Sequence, residues 1–98
     1  MSKYLLIWEV DESVMPDDPK ERGALGVKMG EMVKQSMKEG KMNDWGVFIN
    51  GTEGYAVVEG TGLDLYKDLH RYRPYIAFQV HQVLSIDEEL EVTKSLME

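Results

Sequence analysis

The sequence predicts an α+β domain of β-α-β-β-α-β order, followed by one further helix. Four segments show the alternation or the short apolar runs typical of strands. Three others carry apolar residues at helical spacing between capping residues and stop signals. We expect one domain over 1–98, with a core at 1–84 and a C-terminal helix at 85–98. The predicted strands span 3–10, 42–49, 54–59 and 76–84.

The first helix has the clearest boundaries. Asp18 is a capping residue, Pro19 suits the first helical position, and Glu21 stands three residues after the cap. Gly40 provides the stop. An apolar stripe between them predicts the side that packs on the sheet: Leu25, Met29, Met32, Val33 and Met37.

Short turn and capping signals delimit the other elements. Asn50-Gly51 lies between two apolar runs and favours a hairpin joining the second and third strands. The segments 61–64 and 85–88 resemble capping boxes and predict the starts of the remaining helices. Pro74 ends the second helix before the fourth strand begins.

This order with right-handed crossovers places two helices on one face of a four-stranded antiparallel sheet, the ferredoxin-like arrangement. The other face is then bare, although the first strand offers Leu5 and Ile7 to one face and Leu6 and Trp8 to the other. We therefore expect a homodimer in which two bare faces pack together. The alternative is that the helix at 85–98 covers this face within one chain.

Composition excludes several classes of function. Eighteen acidic and eleven basic residues give a net charge of −7, which disfavours nucleic acid and anionic membranes as partners. The chain has no cysteine, so disulfides, thiolate nucleophiles and thiolate metal sites are excluded. No apolar run approaches the length of a membrane helix and no export leader is evident, so we expect a cytoplasmic protein.

Three glycines inside the first helix need an explanation. Gly23, Gly26 and Gly30 each cost about 0.8 to 1 kcal/mol relative to alanine in a helix interior. Close packing of the helix on the sheet is the favoured interpretation, and an approach path for a ligand is the alternative. A phosphate-binding loop fits poorly because the Gly-Lys-Ser/Thr ending is missing.

Three motifs give the chain a resemblance to a known superfamily. Trp8 lies late in the first strand, 54–59 reads Gly-Tyr-Ala-Val-Val-Glu, and 74–80 reads Pro-Tyr-Ile-Ala-Phe-Gln-Val. The chain resembles the dimeric α+β-barrel superfamily over nearly its whole length, and within it an uncharacterised group of short proteins. The resemblance implies a barrel of two sheets that holds small ligands in its interior, and some members are cofactor-free monooxygenases or muconolactone isomerase-like enzymes.

The candidate acid–base residues lie on the predicted bare face. If Phe78 and Val80 face the helices, Gln79 and His81 lie on the opposite face of the sheet. The alternation in the third strand places Glu59 on that same face. A carboxylate beside an imidazole makes a workable general base. We therefore name His81 and Glu59 as candidate catalytic residues, with solvated or structural roles as the alternative.

Aromatic and polar strand residues form the candidate ligand pocket: Trp8, Glu9, Trp45, Tyr55 and Gln79. Aromatic residues in strands are core residues by default. The two histidines, His70 and His81, are predicted on opposite faces of the sheet, so we expect neither a metal site nor another cofactor. His70 lies late in a helix, where a positive charge interacts favourably with the negative end of the helix dipole.

The resulting functional expectation is a homodimer that binds a small apolar or aromatic molecule between its sheets. The alternative is a cofactor-free monooxygenase or isomerase with His81 as base, and whether the protein is an enzyme stays open. A regulatory or RNA-binding domain of the same topology is more remote. Although the segment from Gly54 partly matches an RNA-recognition signature, Glu53 replaces its basic residue and Gly60 its final aromatic.

Overall fold

The structure is a computed structural model that describes residues 2–98. Its four strands are β1 (Ser2–Val10), β2 (Met42–Val47), β3 (Glu53–Gly60) and β4 (Ile76–Val83). Its three α-helices are α1 (Pro19–Lys38), α2 (Gly62–His70) and α3 (Ile86–Ser95), and one short 3-10 helical turn covers Glu12–Val14. Met1, the first residue of the predicted domain, lies outside the described residues.

The strands form one antiparallel sheet in the order β2-β3-β1-β4. The chain is therefore an α+β fold whose strand order and helix positions are consistent with the ferredoxin-like arrangement. The predicted β-α-β-β-α-β sequence of elements is confirmed, and α3 follows it.

Local signals in the sequence place the helix starts. The Asp18 carboxylate accepts a hydrogen bond from the Lys20 amide, and the Thr61 hydroxyl accepts one from the Asp64 amide. Ser85 and Glu88 form a reciprocal capping box at the start of α3. These bonds satisfy amide groups that have no partner within the helix.

Glycines at positive φ turn the chain on either side of β2. Gly40, after α1, has φ of 77°, and Gly51, in the turn between β2 and β3, has φ of 83°. Both angles lie in the left-handed region, which side chains with a Cβ rarely occupy. The two predicted turn sites are therefore positions where the backbone favours glycine, and Gly60 at the end of β3, with φ of 153°, is a third.

Strand register separates the residues of β1 between two faces. Leu6 pairs with Ala56 and Val80, which assigns these three residues to the helix side of the sheet. Leu5 pairs with Val57 and with His81, which assigns them to the opposite side. We call this opposite side the open face: Lys3, Leu5, Ile7, Glu9, Tyr55, Val57, Glu59, Gln79 and His81.

Few side chains are fully buried. The buried core consists of Leu6, Trp8, Ala56 and Val58, all on the helix side, with Tyr4, Met42, Leu65, Leu69 and Phe78 partly buried around it. Helix α1 lies over the sheet but packs extensively only on β2. A gap between the helices and the sheet is the result.

The single chain exposes more surface than a compact monomer of its size. Its accessible area is 7210 Å², whereas a folded monomer of this mass exposes about 5,700 Å². Its radius of gyration is 16.4 Å, against about 12.6 Å for a compact domain of this length. The difference in area, roughly 1,500 Å², exceeds the approximately 800 Å² that one partner buries in a standard interface.

Helix α3 does not cover the sheet within one chain, which was the alternative to the homodimer. Every residue from Ile86 to Ser95 is exposed, and α3 has no extensive contact with the sheet or with the other helices. Only Leu84 and Ser85 separate it from β4, and the capping box at Ser85 fixes the direction in which it leaves. The open face is consequently not covered by α3 within one chain.

The helices are too short or too polar to cross a bilayer. Within residues 2–98, none combines the length and the apolar character that a membrane-spanning helix requires.

Candidate ligand cavity between the helices and the sheet

A cavity of about 550 Å³ lies between the helix side of the sheet and helices α1 and α2. Its floor is formed by strand residues that include Leu6, Trp8, Ala56, Val58 and Phe78. Alternation places every second side chain of β1 and β3 on this face, so the floor is nearly all apolar.

The roof of the cavity comes from both helices. Met29 and Val33 of α1 and Leu65 and Leu69 of α2 lie at helical spacing and turn toward the sheet. Gly26 and Gly30 also line the cavity, and a Cβ placed on either would have no neighbouring atom within 4 Å. These glycines leave space beside the roof, which favours the ligand-path interpretation over the close-packing one.

Two stacked tryptophans form one wall. The rings of Trp8 and Trp45 are 5.4 Å apart with an angle of 11° between their planes. The indole N–H of Trp8 donates to the backbone oxygen of Tyr55 at 3.3 Å. A Cβ on Gly54 would overlap the Trp8 ring and the backbone oxygen of Gly46. The indole of Trp8 can therefore pack here because residue 54 has no side chain.

Polar groups are confined to part of the cavity surface. Tyr72 packs edge-on against Phe78, with ring centroids 5.9 Å apart. Burial raises the pKa of Tyr72, as does Asp68, whereas Arg71 and a hydrogen bond with Ser36 act in the opposite direction. The remaining polar lining residues are Lys41, Glu59, Asp64 and Lys67. A bound molecule would therefore meet mainly apolar surface and a few groups able to orient it.

The open face has its own organised polar pair. The Tyr55 ring lies over Gly46, where a Cβ would overlap it, and its hydroxyl donates to the Asp44 carboxylate at 2.7 Å. This hydrogen bond raises the pKa of Tyr55, with desolvation and the negative charge of Asp44 acting in the same direction. The protonated phenol is the form that the pair stabilises.

Replacement of Asp44 by asparagine should lower the pKa of Tyr55 toward the ordinary range of tyrosine. Because the pKa of Tyr55 is raised in the folded protein, the pair stabilises the fold at pH values below the ordinary tyrosine pKa. This contribution to folding stability is lost as the pH rises through the raised pKa. Ring-carbon NMR of Tyr55 across alkaline pH measures the change. Tyr72 is the internal control, because burial in the cavity raises its pKa and Asp44→Asn should leave it unchanged. An unmoved Tyr55 would show that the pair does not form.

The residues of the predicted ligand pocket divide between the two faces of the sheet. Trp8 and Trp45 line the cavity on the helix side. Glu9, Tyr55 and Gln79 lie in the open-face rows. The single chain therefore does not bring these five residues together around one space.

Glu59 and His81 share the open face but are not joined. Glu59 pairs with Lys3, and His81 pairs with Leu5, so they occupy different rows on the two sides of β1. Two strand spacings put about 10 Å between their backbones. Among residues 2–98 no hydrogen bond links them, although the cavity also reaches Glu59 at the end of β3. Their role as a catalytic pair stays a prediction.

The remaining histidine has a local partner. The His70 ring contacts Tyr66 edge-on, with centroids 4.5 Å apart, and its Nδ1 lies 3.0 Å from the Tyr66 backbone oxygen. No group of three or more potential metal ligands occurs within residues 2–98.

The chain matches no known family model and no curated protein. Its architecture and its cavity are therefore the basis for a functional proposal.

Proposed function

We propose that this chain is a small-molecule-binding protein that takes an apolar or aromatic molecule into the cavity between its helices and its sheet. The cavity carries the proposal. Its volume of about 550 Å³ falls within the roughly 300 to 1,000 Å³ typical of ligand pockets. Its largely apolar lining and the Trp8 wall favour a flat apolar or aromatic occupant.

We also propose that the protein acts as a homodimer joined through the open face. Leu5, Ile7 and Val57 form the apolar centre of that face, and no helix of the chain covers it. The chain as a whole exposes roughly 1,500 Å² more than a compact monomer, which leaves enough area for one partner's share of a standard interface. Face-to-face packing would bury an apolar surface that otherwise promotes aggregation.

The position of the ligand in this proposal differs from the sequence-based expectation of a site between two sheets. The cavity lies on the helix side and reaches the open-face rows only at Glu59, at the end of β3, so binding and dimerisation would use largely opposite faces of one sheet. Each protomer would then carry its own complete site. A defect in dimerisation need not remove the cavity.

The charge of the open face supports a protein or small-molecule partner over RNA. Glu9, Glu59 and Asp44 belong to rows of that face, with Glu53 at its edge. Carboxylates repel a phosphate backbone, and the chain as a whole carries −7.

Two matched variants of α1 test the cavity. Gly26→Leu should place a side chain beside the cavity and weaken binding of the apolar dye Nile red by at least about tenfold, equal to 1.4 kcal/mol. Gly23→Leu should leave binding unchanged, because Gly23 is not a lining residue and has equally open space around its Cβ position. Both gain helix propensity relative to glycine. Dye fluorescence titration supplies the affinities.

Equal affinities of the two variants would place the dye elsewhere and contradict the proposed site. Native mass spectrometry of the purified protein provides an independent test, because a retained small molecule would show its mass directly. The proposal is supported if the retained molecule is found with Gly23→Leu and is absent from Gly26→Leu.

A further inference from the structure

We infer that α3 is an intermolecular arm whose apolar stripe packs on the outer face of α1 in a second copy of this chain. The stripe consists of Ile86 and Leu90, with Thr93 on the same side of the helix. The outer face of α1 is the side turned away from the sheet, represented by Ala24, Val27 and Lys34. This contact is separate from both the cavity and the open face.

Helix α3 has an apolar stripe without a partner in its own chain. Ile86 is 70% exposed and Leu90 42% exposed, and they share one side of the helix. The helix has ten residues, and isolated helices shorter than roughly 12 to 15 residues are marginal in water. Its capping box helps to start the helix, but stable helicity requires packing of the stripe.

Charge identifies the surface that fits α3. Four carboxylates and one lysine give α3 a net charge of −3, whereas five cations and two carboxylates give α1 a net charge of +3. The opposite charges of α3 and α1 favour their association.

The outer face of α1 combines two apolar residues with a net positive charge. Ala24 and Val27 lie on the side opposite Met29 and Val33, which line the cavity. The same side carries three lysines and one carboxylate: Lys20, Lys34, Lys38 and Glu31. Val27 is 65% exposed. Small side chains let two helices approach closely, and the lysines of this side can meet the carboxylates that flank the α3 stripe.

Within one chain, α3 and α1 start from opposite edges of the sheet. Helix α3 leaves β4 at one edge, and α1 packs on β2 at the other edge. Three strand spacings separate these edges by about 14 Å, and α3 has no extensive contact with α1. A second copy is the partner that would give the α3 stripe its contact, and reciprocal exchange would make the contact twice.

The cysteine-free chain allows a direct test by disulfide trapping. Val27→Cys and Leu90→Cys are prepared as separate full-length proteins, mixed, and oxidised. We expect the mixed 27–90 dimer, identified by intact mass, at a yield at least about tenfold above that of a control pair. Docking holds the two thiols at a high effective concentration. Both positions are exposed in the single chain, so the folded protein should accept the substitutions.

The control pair combines Val27→Cys with Glu91→Cys, on the side of α3 opposite the stripe. Equal yields from the two pairs would overturn the inference. A Val27→Cys/Leu90→Cys double variant that closes an internal disulfide in dilute solution would also overturn it, because α3 would then reach its own α1. Loss of the preferred 27–90 product in about 1 M salt is expected, since screening removes the charge attraction. None of these outcomes depends on Nile red binding.

Discussion

Gly54→Ala should destabilise the protein by about 3 kcal/mol, a value at the upper end for overpacking a tight core. The added methyl would overlap two groups at once, the Trp8 ring and the backbone oxygen of Gly46. Neither can move freely, because Trp8 is buried and hydrogen-bonded and Gly46 belongs to a paired strand. The substitution should therefore separate β2 from β3 or displace the tryptophan wall.

Gly23→Ala is the matched control for this substitution. Gly23 lies in α1 with nothing near its Cβ position, so alanine should increase stability by about 0.5 to 1 kcal/mol through a less flexible unfolded chain. Urea unfolding followed by tryptophan fluorescence gives both free energies. A Gly54→Ala variant as stable as the parent protein would mean that β3 does not approach Trp8 as described.

Ile7→Lys should convert the proposed homodimer into a monomer. Ile7 lies on β1, the strand between β3 and β4, and its open-face row also contains Tyr55 and Gln79. A lysine there would bury two ammonium groups, related by the two-fold axis, against the apolar centre formed by Leu5 and Val57, with a desolvation cost of several kcal/mol for each buried charge. Light scattering should report the mass of one chain, at concentrations where the parent protein reports two.

Leu63→Lys controls for the added charge itself. Leu63 lies on α2 and is 64% exposed, so the same substitution there should leave the mass of the dimer unchanged. Circular dichroism establishes that Ile7→Lys still folds. A folded Ile7→Lys variant with undiminished mass would exclude the open face as the dimer contact.

Local signals predict most of the fold because they act over a few residues. The cap at Asp18, the turn at Gly51 and the alternation in β4 each fix an element without reference to the rest of the chain. The short helical turn at Glu12–Val14 lies between the first predicted strand and the Asp18 cap, where the sequence predicts no regular element, and its Asp11 cap is a weak signal in isolation. The position of α3 depends on tertiary packing, which its capping box does not encode.

The site was harder to predict than the fold, because it depends on the distance between layers. Periodicity identifies Met29 and Val33 as facing the sheet, but it cannot show whether they touch it or roof a cavity. Alternation correctly separates the rows of β1, yet the pairing of Asp44 with Tyr55 depends on the irregular register between β2 and β3. Separation of Glu59 from His81 likewise depends on which strands are neighbours.

The tryptophan wall also gives the protein a built-in spectroscopic probe. Trp8 and Trp45 are the only two tryptophans of the chain, and their nearly parallel rings are close enough for their electronic transitions to couple. Exciton coupling of this kind produces a paired positive and negative signal in ultraviolet circular dichroism. The signal depends on the mutual orientation of the two indoles, so it would follow ligand entry into the cavity without any attached label.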